Sequence, residues 1–144
     1  MDSNRFPDEL YATTPAPAGD DLLLRAWRLI AVGQGHCPLL DGDLVCACGH
    51  DAEHVLGCVY AFMCATALAG RRRLTIGYPG YPARTSDECR LLQLVEAAQT
   101  QCESLFEAHL CWLACHDLRT IVAQRTRTLA NALDHCGLRL DTCH

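Results

Sequence analysis

Between Ala83 and Cys136 the chain contains neither proline nor glycine. Proline lacks the N–H that a helix needs and clashes with the preceding turn; glycine gives up the most backbone entropy. A run of this length without either residue permits helix almost throughout, and nothing else in the sequence narrows the fold as much. Thr85 and Glu88 stand at the spacing of a capping box, which marks a helix start. Leu91, Leu92, Val95 and Ala98 then follow helical spacing. The polar stretch QTQCES (99–104) predicts a break or bend. Beyond it, Leu105, His109, Trp112 and Leu113 carry the expected apolar face. Asp117 is a candidate cap for a last helix, with Leu118, Ile121, Val122, Leu129, Leu133 and Cys136 facing inward and Gly137 as the stop.

The first half of the chain adds two helices. DDLLLRAWRLIAVG (20–33) has Asp20 or Asp21 as a cap and Gly33 as a stop. Leu23, Ala26, Trp27 and Ile30 share one face there, with Arg25 and Arg28 off it. DAEHVLGCVYAFMCATALAG (51–70) is the most apolar segment, uncharged from Val55 to Ala69. That uncharged stretch rises only about 22 Å as a helix, short of a bilayer's hydrocarbon thickness. The expectation is a buried central helix and no membrane span. Between these two helices, Pro38 and the Asp41-Gly42 pair are turn chemistry, so a short turn or hairpin insert is expected near residues 36–49. RRRLTIGYPGYPARTSDE (71–88) reads as a loop with a short strand at Leu74 to Ile76, its middle broken by Pro79, Gly80 and Pro82.

The expected fold class is therefore all-α: a four- to five-helix bundle with that insert. Residues 1–19, polar and holding Pro7, Pro15 and Pro17, read as a flexible N-terminal arm, and 20–144 as a single helical domain. The arm lacks the basic start and apolar run of a signal peptide.

Charge limits the partners. The net charge is -5 at pH 7, and the one basic cluster is Arg71, Arg72 and Arg73. Nucleic acid needs a basic footprint, so none is expected as a partner. All 12 basic residues are arginine, which we read as genomic base composition.

Cysteine is the other unusual feature, with 11 in 144 residues. The count is odd, and several lie inside apolar helical patterns. Free thiols in a reducing cytoplasm follow, with most of them acting as small buried apolar groups. Zinc takes four tetrahedral thiolate or imidazole ligands. The best candidate set is Cys37, Cys46, Cys48 and His54, where a turn would bring the cysteines beside the start of the next helix. His50, His54 and Cys58 also share helical spacing. A second, weaker set is Cys111, Cys115, His135 and Cys136: thiolates at i, i+4 on one helix suit zinc or copper(I) if the last helix runs back antiparallel. Phosphate-binding loops, dinucleotide fingerprints, nucleophile elbows and HExxH zinc helices are all missing from the sequence.

The expected function is that of a small soluble, non-enzymatic helical protein that binds another protein or itself, with zinc as a structural cofactor. The alternative is a metal- or redox-responsive protein whose cysteines bind zinc or copper or form a thiol switch.

Overall fold

The computed structural model describes residues 19–141. These residues contain six α-helices, in order α1 (Gly19–Ala31), α2 (Pro38–Cys48), α3 (Ala52–Ala69), α4 (Ser86–Thr100), α5 (Glu103–Leu113) and α6 (Arg119–His135). Short 3₁₀ turns join α2 to α3 (Gly49–Asp51) and lead into α6 (His116–Leu118). Among the described residues the only β pairing is one antiparallel bridge between Gly70 and Ala114. The fold is an all-α bundle, as the glycine- and proline-free run predicts. The arm expected over 1–19 lies outside the described residues except for Gly19, the first residue of α1.

The core is continuous. α3 lies mainly against α6, and α4 packs on both α5 and α6. Trp27 of α1 is fully buried and stacks on Phe62 of α3, ring centroids 5.7 Å apart. Phe106, Leu110 and Leu113 carry α5 into the core, while Leu105 and Trp112, expected there, are exposed. On α6 the inward residues are Val122, Leu129 and Leu133 as expected, but Ile121, and Leu118 in the turn before the helix, are exposed.

The insert expected near 36–49 is corrected: Pro38–Cys48 is the helix α2. Pro38 occupies its first turn, where the missing N–H costs nothing. Gly42 sits at an exposed position and is absorbed for about 1 kcal/mol. The tertiary gain outweighs that cost, because Leu40, Leu44 and Cys48, spaced four apart, are all buried. The strand expected at Leu74 to Ile76 is also missing; this segment is coil, held at Thr75 by hydrogen bonds to the Asp87 and Thr85 side chains.

Helix ends follow local chemistry. Thr85 and Glu88 form the full capping box, with Glu88 N–H donating to Thr85 Oγ1 (3.0 Å) and Thr85 N–H to Glu88 Oε1 (2.8 Å). The break at 99–104 falls at Gln101, whose φ of 59° is the one left-handed non-glycine backbone among the described residues. Gln99, inside that polar stretch, is buried. Its amide donates to Leu138 O (2.9 Å) and accepts from Leu140 N–H (2.7 Å), which straps the segment after α6 onto α4.

Candidate functional site

Two places in the fold bear on function: the cysteine–histidine residues, and the loop between α3 and α4.

The first metal set does not converge. Cys46 is exposed and Cys48 buried, because two residues on a helix turn a C-x-C pair to nearly opposite faces. Cys37 precedes α2 at its far end and packs partly against the core. His54 is exposed on the first turn of α3, its Nε2 3.7 Å from Cys58 Sγ. In the second set, α5 ends at Leu113, so Cys115 lies in extended backbone and the i, i+4 relation with Cys111 is broken. Among the described residues no three His, Cys, Asp or Glu side chains form a group that could hold a metal.

The fold instead joins one member of each set. Cys48, at the end of α2, meets Cys136, just past α6. Beside them His135 Nε2 lies 3.5 Å from Asp51 Oδ2. Burial, then the contact with Cys136, push the Cys48 thiol up to about 12. Burial also raises Cys58. Thiolate, not thiol, is the reactive form. In a thiol titration with an aromatic disulfide reagent at pH 8, exposed Cys46, Cys64 and Cys111 should react at once. Cys48 and Cys58 should follow at least about tenfold more slowly, at the rate of opening. Peptide mapping of the labelled thiols checks the order; Cys48 among the fast group contradicts it.

The loop from Gly70 to Thr85 is regular nowhere, yet it is firmly held. Arg28 of α1, placed off the apolar face by its helical position, is buried. Its Nε and Nη2 each donate to Glu88 at 2.9 Å. The same guanidinium donates to the carbonyls of Tyr81 (2.8 Å) and Ala83 (2.6 Å). Glu88 is completely buried and also accepts from Gly77 N–H at 2.9 Å. Gly77 lets the loop pass close by: a Cβ there would sit a tight 3.1 Å from Arg28 Nε. The preceding residue, Asp87, accepts from Arg72 and from Thr75 N–H (2.7 Å). Burial pushes both carboxyls up, but hydrogen bonds from Arg28, Thr85 and Gly77 on Glu88, and from Arg72 and Thr75 on Asp87, outweigh it. Both are held below the ordinary carboxylate range. On Arg28, the Glu88 hydrogen bond raises the guanidinium's pKa further.

This clamp fixes a cleft of about 680 Å³ between α1, the start of α2 and the loop. Leu24, Leu29, Leu39, Pro79, Tyr81 and Pro82 are among its lining residues. Leu39 is 78% exposed, and Tyr78, next in sequence to the lining Pro79, is 61% exposed. Tyr78 and Tyr81 pack edge to face with centroids 5.1 Å apart. The charges around the cleft are paired internally: Arg25 with Asp43, and Arg84 with Asp20 (3.0 Å) and Asp21 (2.9 Å). What the cleft offers a ligand is therefore apolar and aromatic.

Sequence reasoning placed Tyr78 and Tyr81 at this turn but missed Arg28 and Glu88. Their partnership spans 60 residues, and only the unusual position of an arginine among leucines on α1 hinted at it. No family model matches this chain, and no curated protein or solved structure compared with it does either.

Proposed function

We propose that this protein is a small helical interaction module that binds a partner protein through the cleft between α1, α2 and the tyrosine loop. The observation that carries the reading is the combination of exposed apolar and aromatic residues with a backbone held by buried hydrogen bonds. Pre-organised surfaces lose less ordering entropy on binding, and tyrosines are favoured anchors in such patches. The partner that fits presents an apolar face to Leu39, Tyr78 and Tyr81. Tight, self-satisfied ion pairs around the rim leave little for a charged ligand. The stretch Pro38–Ala69 is long and apolar enough to cross a membrane by length and composition. We read it as a core element, because Leu40, Leu44, Val55, Val59 and Phe62 are all buried within the bundle.

A double variant, L39D/Y78D, tests the proposal. Both side chains are exposed, so stability should change by no more than about 0.5 kcal/mol. Quantitative capture from the host's own extract should show a protein enriched on the wild type and reduced at least tenfold, to about one part in ten, on the variant. Identical captured sets from the two would reject the cleft as the binding surface.

A metal- or thiol-responsive role is the second reading, favoured by the meeting of Cys48 and Cys136. Elemental mass spectrometry on the sample used for thiol titration decides its metal arm. Zinc at one per chain, lost in a C48S variant, would move this reading ahead of the first.

A further inference from the structure

A second surface lies on the opposite arm of the same loop. The bridge between Gly70 and Ala114 ties the end of α3 to the end of α5, with Arg71 N–H donating to Leu113 O (3.2 Å) and Cys115 N–H to Ala69 O (2.9 Å). It sets the arginine run at 71–73 against Trp112. The indole is 36% exposed, and two guanidinium groups cover it: Arg72 with Cζ 5.5 Å from the ring centroid and Arg90 of α4 at 4.5 Å. Folding thus adds a fourth arginine to a cluster that the chain shows only as three.

Little of this charge is neutralised. Arg72 is paired with Asp87, whose oxygens are already taken by Arg72 and Thr75 N–H. Arg71, Arg73 and Arg90 enter no ion pair among the described residues. Burial, and then the charge of Arg90, lower the pKa of His109 nearby. Arg71, Arg73 and Arg90 are exposed.

Two adjoining clefts shape the patch. One, of about 550 Å³, is lined by Arg71 and Arg72 with Leu74, Cys111, Trp112 and Leu113. The other, of about 220 Å³, shares Arg72 and Leu74 with it, has Arg73 at its wall, and is otherwise mainly apolar, with Met63, Ala67, Ile76 and Leu91. The smaller cleft has room for one aliphatic side chain, and the larger one lies among cations.

We propose that this face binds an acidic linear segment of a partner protein, an apolar anchor seated over Met63, Leu74 and Ile76 and its flanking carboxylates met by Arg71, Arg73 and Arg90. Charge complementarity selects this occupant. The patch is a basic island on a chain of net charge -5. A long polyanion such as nucleic acid would run off the island onto repelling surface, whereas a short acidic segment matches its extent. Tryptophan and arginine together are the residues most enriched at binding hot spots. This site is separate from the tyrosine-loop cleft and stands without it.

The test is fluorescence anisotropy on the full chain with three labelled probes: a short peptide of glutamates and leucines, the same peptide with serine for leucine, and a single-stranded oligonucleotide of equal charge. The glutamate–leucine peptide should bind with a Kd on the order of 10 µM at low salt and weaken as salt rises. The serine peptide should bind at least about fivefold more weakly, and the R71E/R73E variant should weaken the leucine peptide by about tenfold or more. Both arginines are exposed and unpaired, so circular dichroism should show the fold retained. L39D/Y78D should bind the peptide as the wild type does, which separates this surface from the other. No binding by the leucine peptide, equal binding by R71E/R73E or by the serine peptide, or an oligonucleotide that binds as tightly would overturn the proposal.

Discussion

Replacing Glu88 with alanine is expected to lower the unfolding free energy by about 3–5 kcal/mol, the usual cost of stranding one member of a buried ion pair. Glu88 is completely buried and receives four hydrogen bonds: two from Arg28, one from Gly77 N–H and one from Thr85 N–H. The variant leaves the Arg28 charge with only carbonyl partners and removes half of the α4 capping box. Arg28→Met should also be costly, since Glu88 would then sit buried with backbone donors alone. Urea denaturation followed by circular dichroism measures both, and a loss under about 1 kcal/mol for Glu88→Ala would contradict the description of the clamp.

The same network sets an acid limit. Glu88 and Asp87 have folded pKa values below their ordinary 4.5 and 3.8. A depressed folded pKa contributes stability that is complete above the unfolded value and is lost as pH falls through the folded one. The wild type should therefore hold its stability down to about pH 5 and lose it steeply below about pH 4. Glu88→Ala, already lacking one contribution, should show a shallower acid loss.

Trp27→Ala is the second large effect, with about 3–5 kcal/mol expected from the lost burial and the cavity left behind. Trp27 is wholly enclosed, stacked on Phe62, and joins α1 to α3. Among the described residues its buried indole N–H has no hydrogen-bond partner. That orphan donor makes Trp27→Phe informative: the smaller ring opens some space but removes an unsatisfied polar group. Its cost should stay below about 1.5 kcal/mol. Equal losses for alanine and phenylalanine would mean that the indole donor has a partner after all.

Much of the helical layout was legible because its signals are local. The capping box at Thr85 and Glu88, the break at 99–104 and the stop at Gly137 are read from neighbours within a turn or two. α2 was misread for the same reason. Pro38 and Asp41-Gly42 carry strong turn preferences, and the spacing of Leu40, Leu44 and Cys48 outweighed them only through packing against the core. Leu105, Trp112 and Ile121 were placed inward by hydrophobicity alone, yet each is exposed while neighbours one helical position away fill the core. The candidate sites were the least legible part. Arg28 and Glu88, Cys48 and Cys136, and Arg90 and Trp112 each meet across a tertiary contact between different elements. Cysteine spacing suggested that neighbours in sequence would bind together, whereas helical geometry turned Cys46 and Cys48 apart.

The packing of α3 chiefly against α6 has a consequence for biosynthesis. The most apolar helix of the chain is made early, and the helix that covers it is completed only at His135. At translation rates of about 5–20 residues per second, a nascent chain spends several seconds with that face uncovered. Until the last helix emerges and the bundle can close, that apolar face has no α6 to bury it.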